Sequence, residues 1–193
     1  MRIIAGHWRS RHLCAPNNFV TRPVPDRVKE SIFNKLGSYY GCPGELPAIH
    51  VADAFSGSGS MGLEALSRGA ESCTFFERDP EAISALKLNL SALDVGTAAS
   101  VVRGDAWRKA VARSDGGPLD LILLDPPFRD SSDPSESGAV HRYLSKMSNL
   151  GDASLLIVLH HEVSVAPFVL PGDRWTVLDE RRFGRNVVTF FER

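Results

Sequence analysis

From Ala48 onward the chain alternates between two kinds of segment. Short apolar runs near residues 49–54, 72–77, 99–103, 119–124 and 154–159 are separated by stretches of helical spacing near 60–69, 80–93, 106–113 and 137–148. The run Leu119-Asp120-Leu121-Ile122-Leu123-Leu124 is apolar at nearly every position, as expected of a strand buried on both faces. Strands alternating with helices of roughly ten residues form βαβ units, which predict a mostly parallel sheet covered by helices on both sides. Two further patterns, Trp175 to Leu178 and Val187 to Phe191, flank a short charged turn and predict an antiparallel C-terminal hairpin at one edge. The expected fold is therefore α/β, with seven strands.

Before Ala48 the organisation differs. Arg2-Ile3-Ile4 and Arg11-His12-Leu13-Cys14, separated by Gly6-His7-Trp8-Arg9, resemble a small β-hairpin. Asn17 to Pro25 reads as a loop. Asp26 starts a helix, because Val28, Ile32, Phe33 and Leu36 follow at helical spacing, and Gly37, Gly41, Pro43, Gly44 and Pro47 end it. A chain of 193 residues is one domain or one domain with an appendage. The expected division is 1–24, a basic hairpin and loop, and 25–193, the main domain.

Residues 1–30 hold six basic side chains (Arg2, Arg9, Arg11, Arg22, Arg27, Lys29) against Asp26 and Glu30, on a chain whose net charge is −1. A basic segment on an acidic body suits a polyanionic partner, though charge alone fits a solvated surface equally well. Arg181, Arg182 and Arg185 would extend that face only if folding brings them near it. Cys14, Cys42 and Cys73 are scattered, with no paired spacing, so neither a disulfide framework nor a metal site is expected. No apolar run is long enough to span a bilayer, and a cytoplasmic, monomeric protein without membrane contact is the expectation.

Asp53-Ala54-Phe55-Ser56-Gly57-Ser58-Gly59-Ser60-Met61-Gly62 follows the first parallel strand and leads into a helix. Its Gly57-x-Gly59-x-x-Gly62 spacing meets the dinucleotide fingerprint, so a nicotinamide or flavin must be weighed. Three carboxylates point elsewhere. Asp53, ahead of the glycines, suits an ammonium better than a pyrophosphate. Glu77, ending the second strand, can accept from two ribose hydroxyls, and Asp105, after the third strand, from an adenine amino group. Together they match the zwitterionic tail, ribose and adenine of S-adenosylmethionine, with Phe55, Ser58, Arg78 and Ala106 as neighbouring contacts. Singly, Glu77 or Asp105 fits a helix cap or surface charge equally well, and Asp79 before Pro80 is a better N-cap than ligand.

Asp125-Pro126-Pro127-Phe128 ends the fourth apolar run. Two prolines cannot continue a ladder, so the backbone leaves the sheet in a stiff turn. That turn offers a carboxylate, a carbonyl followed by no N–H, and an aromatic ring. Such a set can hold a flat, amino-bearing ring, and an unstacked nucleobase is the obvious candidate. Phe128 as a core ring is the plainer alternative. The polar stretch Asp130 to Gly138 reads as a mobile segment and a possible lid. His160-His161, beside a strand end, read as packing or surface residues, since no third ligand is spaced near them.

With these residues in view, the chain resembles a class I S-adenosylmethionine-dependent methyltransferase of Rossmann-like fold. More narrowly it is similar to the RsmD family of 16S rRNA guanine-N2 methyltransferases, over nearly its whole length. The similarity lies in Met1 to Gly6 with Arg9 and Arg11, in Arg22-Pro23-Val24-Pro25-Asp26-Arg27-Val28-Lys29-Glu30-Ser31-Ile32-Phe33-Asn34, in Asp53 to Ala70, and in Asp125-Pro126-Pro127-Phe128. The family usually has threonines at the places of Val24 and Pro25, and neither the serine-rich stretch after Arg129 nor the histidine pair belongs to its pattern.

The resemblance implies methyl transfer to a guanine exocyclic nitrogen, with Asp125, Pro126, Pro127 and Phe128 as the catalytic turn. It also implies 16S rRNA or a small-subunit assembly particle as partner. Arg2, His7, Trp8, Arg9, Arg11, Arg22, Arg27 and Lys29 are then the expected RNA contacts. Rival readings are an adenine-N6 or cytosine-N4 methyltransferase, a protein-glutamine methyltransferase, and a noncatalytic RNA-binding assembly factor. Small size disfavours the first, the basic N-terminus the second, and the intact set of carboxylates and glycines the third.

Overall fold

The computed structural model describes residues 1–16, 24–109, 111–113, 115–148, 154–163 and 166–193. Among them the elements run α1 (Asp26–Tyr39), β1 (His50–Asp53), α2 (Ser60–Ser67), β2 (Ser72–Glu77), α3 (Pro80–Ala92), β3 (Ala99–Arg103), β4 (Leu121–Leu124), α4 (Ala139–Ser148), β5 (Leu156–Glu162), β6 (Thr176–Phe183) and β7 (Asn186–Glu192). The strands form one sheet in the order β3-β2-β1-β4-β5-β7-β6. The first five are parallel, and β7 runs antiparallel between β5 and β6. Strand order reverses between β1 and β4, the place where α/β sheets open a crevice at their carboxyl ends.

Period-two alternation explains why the central strands read as unbroken apolar runs. Leu121 and Leu123 face a core shared with Phe33, Leu63 and Leu86, drawn from α1, α2 and α3. Ile122 and Leu124 face the other side, against Val140, Tyr143 and Leu144 of α4. Helices therefore cover both faces, as the βαβ pattern requires.

Three expectations are corrected. No helix forms over 106–113 in the described residues. Asp105 closes a single turn, its carbonyl accepting from the Arg108 and Lys109 amides at 3.0 and 2.9 Å. Gly116, Gly117 and Pro118 lie just beyond, and one turn cannot repay the cost of helix nucleation without propagating. Strand β6 runs five residues past Leu178, through a bulge between Val177 and Asp179. As an edge strand it is solvated, and its Asp179-Glu180-Arg181-Arg182 charges suit that position.

The N-terminal hairpin is reduced to one antiparallel bridge, Arg2 to His12, around a tight turn. It is a docked part of the body, because Ile3 (0% exposed) and Leu13 lie in the same core as α1 and α2. The Ile4 and Ala5 amides donate to the Glu64 carboxylate at 2.7 and 3.0 Å. At Gly6, with φ +80°, a Cβ would lie 1.8 Å from the Ser67 carbonyl oxygen, so only glycine lets the turn rest on α2.

Candidate active site

The carboxyl ends of β1, β2 and β4 bring three side chains to one edge. Asp53 ends β1, is 1% exposed, and accepts from the Gly62 amide at 2.8 Å. Burial pushes its carboxyl up to about 7, the Gly62 hydrogen bond opposing this and the charges of Asp125 and Glu77 adding to it. The three acids therefore share one field, although 72 residues separate Asp53 from Asp125 in sequence.

The glycine loop is tied to the second of them. Glu77 accepts from the Gly57 amide at 2.8 Å through one oxygen, and from the Arg78 and Asp79 amides at 2.7 and 2.9 Å through the other. Gly57 has φ +53°, and a Cβ added there would meet nothing within 4 Å, so the loop presents bare backbone to open space. Gly59 (φ +89°) is the left-handed residue before α2, and a Cβ on Gly62 would lie 2.4 Å from the Phe75 ring. The first glycine thus leaves room for a ligand, while the third lets α2 pack on β2.

Asp105 accepts from the Trp107 amide at 3.0 Å and pairs with Arg78 at 3.2 Å. It borders a cavity of about 560 Å³ lined also by Trp107, Tyr143, Ser137 and Arg142. Phe55, Trp107 and Tyr143 form a row of rings, with centroids 5.0 and 5.6 Å apart. The buried Trp107 indole N–H and Tyr143 hydroxyl have no hydrogen-bond partner among the described residues. An open glycine turn, two carboxylates and unpaired polar atoms at one edge fit a ligand with sugar hydroxyls and a heterocycle. Ser58 and Ala106 are buried, and the Ser58 carbonyl accepts from Asn89 Nδ2 at 2.9 Å.

Asp125 follows β4 directly, and Pro126-Pro127 leads into a single 3₁₀ turn, Phe128–Asp130. Its side chain keeps 24% exposure and Phe128 is half-buried, so the corner opens on the edge that carries Asp53 and Glu77. No described residue donates to the Pro126 carbonyl or to the Asp125 Oδ2 atom, which leaves both as acceptors. Asp125 Oδ1 is taken: the His160 Nδ1 atom lies 2.7 Å away.

His160 is the residue that sequence reasoning missed. It is 5% exposed on β5, its Nε2 lies 3.0 Å from Asn186 Oδ1, and its ring meets Phe128 edge to face at 5.3 Å. The Asn186 amide nitrogen donates to the Phe183 carbonyl at 3.4 Å, which turns its oxygen toward the imidazole. Both ring nitrogens then face oxygen acceptors, so a protonated ring can donate to Asp125 and to Asn186 together. Burial pulls the His160 pKa down, but the Asp125 hydrogen bond and charge outweigh it and hold it above the ordinary value. His161 differs: it bonds the Glu162 carbonyl and Thr189, and burial keeps its pKa low.

The expected RNA contacts divide. Arg2, His7, Arg9, Arg11 and Arg27 are exposed and Trp8 is half-buried, while Arg22 lies outside the described residues. Lys29 is a correction. It is 0% exposed, donating to the Arg2 carbonyl at 2.7 Å and Ser60 Oγ at 3.0 Å, with Glu64 at 3.5 Å. Glu64 also pairs with Arg68 at 2.8 Å, so Lys29 pins the N-terminal turn to α2 and meets no phosphate. The Asp130 to Gly138 stretch is cross-linked: Asp133 accepts from Ser135 and Ser137, and the Val169 amide donates to the Pro134 carbonyl.

Comparison with known proteins agrees with this geometry. A family model described as Conserved hypothetical protein 95 matches residues 1–192. Ribosomal RNA small subunit methyltransferase D of Haemophilus influenzae is 34% identical over 190 residues, covering 95% of this chain and 89% of the relative. The solved yhhF protein of Escherichia coli matches with a TM-score of 0.79 at 29% identity, over 100% of this chain and 97% of that one. An RNA methyltransferase from Salinibacter ruber, solved with S-adenosyl-L-homocysteine, has a TM-score of 0.58 at 13% identity, over 89% and 93%, and shares the fold.

Proposed function

The chain belongs to the Conserved hypothetical protein 95 family, that of the RsmD methyltransferases, and we propose that it methylates the exocyclic N2 of a guanine in small-subunit rRNA. S-adenosylmethionine is its cofactor, and when bound it supplies an electrophilic methyl group on a sulfonium. Glu77 and Asp105 are the groups suited to hold its ribose and adenine, and the Gly57 turn to lie against its tail. Asp53 acts chiefly from beneath, fixing the loop through Gly62.

One observation carries the reading. Asp125 Oδ2 and the Pro126 carbonyl have no donor among the described residues, on a proline-stiffened corner whose carboxylate shares the field of Asp53 and whose Phe128 ring packs edge to face on His160. An amino group donating to both oxygens is held with its lone pair out of conjugation with the purine. Phe128 fixes the ring plane by stacking. As the N–C bond forms and the methyl's bond to sulfur breaks, its electron pair returning to sulfur, Asp125 would receive the proton that the nitrogen sheds, with His160 holding the carboxylate in place. Alignment of this kind can lower a barrier by ~7–11 kcal/mol.

Incubation with labelled methyl donor and either small-subunit particles or free rRNA, followed by nucleoside analysis, tests this. N2-methylguanosine is the expected product. Label in N6-methyladenosine or N4-methylcytidine, or in protein alone, overturns the guanine assignment.

A further inference from the structure

A second concavity, of about 350 Å³, lies between the first turn of α1 and the β6–β7 turn. Pro25, Arg27 and Val28 line one side, and Arg182, Phe183 and Asn186 the other. The β5–β7 register sets Asn186 opposite Glu162, so this turn stands at the same sheet edge as the catalytic corner. Asn186 is also the residue that receives His160 Nε2, which puts the concavity two hydrogen bonds from Asp125.

Two of its cations are unspent. Nearby arginines are spent: Arg2 on Asp26, Arg181 on Asp179 and Ser31, Arg185 on Glu162. Arg27 and Arg182 are exposed and have no ion-pair or hydrogen-bond partner among the described residues. Two unpaired guanidiniums on one concavity repel each other until an anion lies between them. Phe183 adds a half-buried ring to the wall, and the Asn186 side chain adds a polar floor. Cations, an aromatic ring and an amide around a space of this size match one nucleotide of single-stranded RNA.

Resting on the RNA methyltransferase reading, we propose that this concavity receives a nucleotide flanking the target base. Its phosphate lies between Arg27 and Arg182, and its base against Phe183.

The test compares the wild-type protein with R27A/R182A and with F183A. RNA binding is titrated with an rRNA fragment that the wild type methylates, from about 50 to 200 mM salt, with S-adenosylmethionine binding as control. Each lost phosphate contact lowers the log–log salt slope by about 1. The double variant, which loses that one phosphate, should show a slope shallower by about 0.7–1 and unchanged cofactor affinity. F183A should bind RNA more weakly at an unchanged slope. Wild-type slope and affinity in both variants would overturn this inference and leave the methyltransferase reading intact. If the wild type neither binds nor methylates RNA, both readings fall.

Discussion

Replacing His160 with glutamine tests how Asp125, the proposed catalytic carboxylate, is held. The substitution keeps a polar side chain in a 5%-exposed position, but it cannot be a cation and cannot serve Asp125 and Asn186 together. A hydrogen bond to a charged group contributes roughly 1.5–3 kcal/mol, so about 2 kcal/mol of folding stability should be lost. For a chain of this size that is a fall of roughly 4–8 °C in Tm. The dependence on pH separates charge from packing. The folded-state pKa of His160 is raised, so the pair's contribution is complete below the unfolded value of about 6.5 and fades as pH rises through the folded value. The Tm gap between wild type and H160Q, followed by circular dichroism, should be widest near pH 6 and shrink toward pH 9. Turnover should fall about 10- to 100-fold with cofactor affinity kept, since a loosened carboxylate loses alignment. A gap that stays constant across that range, or turnover equal to wild type, refutes the ion-pair account.

Other outcomes follow from the same structure. Phe128→Ala should weaken capture of the target nucleotide by roughly 1–3 kcal/mol, read as a rise in KM for RNA, with S-adenosylmethionine binding unaltered. Gly62→Ala should cost about 1–3 kcal/mol in urea denaturation, because a Cβ there lies 2.4 Å from Phe75 and 2.6 Å from Cys73. Lys29→Met should destabilise the fold by roughly 1–3 kcal/mol while leaving the salt dependence of RNA binding as in wild type, because Lys29 is buried against Glu64 and Ser60. A shallower salt slope in that variant would return Lys29 to the RNA surface.

The sheet and the acidic strand ends were legible because each is a local signal: consecutive apolar residues, a glycine turn, a carboxylate where a run stops. His160 was not, because its role depends on register between strands far apart in sequence. Leu124 pairs with Leu159, so the next residue on each strand, Asp125 and His160, become neighbours. One sign was present, a histidine pair inside an otherwise apolar buried run. Lys29 was legible in principle, since positions 29, 32, 33 and 36 form one helical stripe and the last three are plainly core. Its positive charge drew the reading to the surface. The concavity beside Asn186 joins residues 25–28 to residues 182–186, a proximity that only the folded chain creates.

The measurement closest to the central claim is single-turnover methyl transfer by Asp125→Ala, alongside its affinity for S-adenosylmethionine. A positioned carboxylate of this kind contributes about 10²–10⁴-fold, so the rate should fall by at least about 100-fold while the cofactor Kd stays within about twofold of wild type. Transfer at a near-normal rate would mean that the proline corner does not hold the acceptor nitrogen.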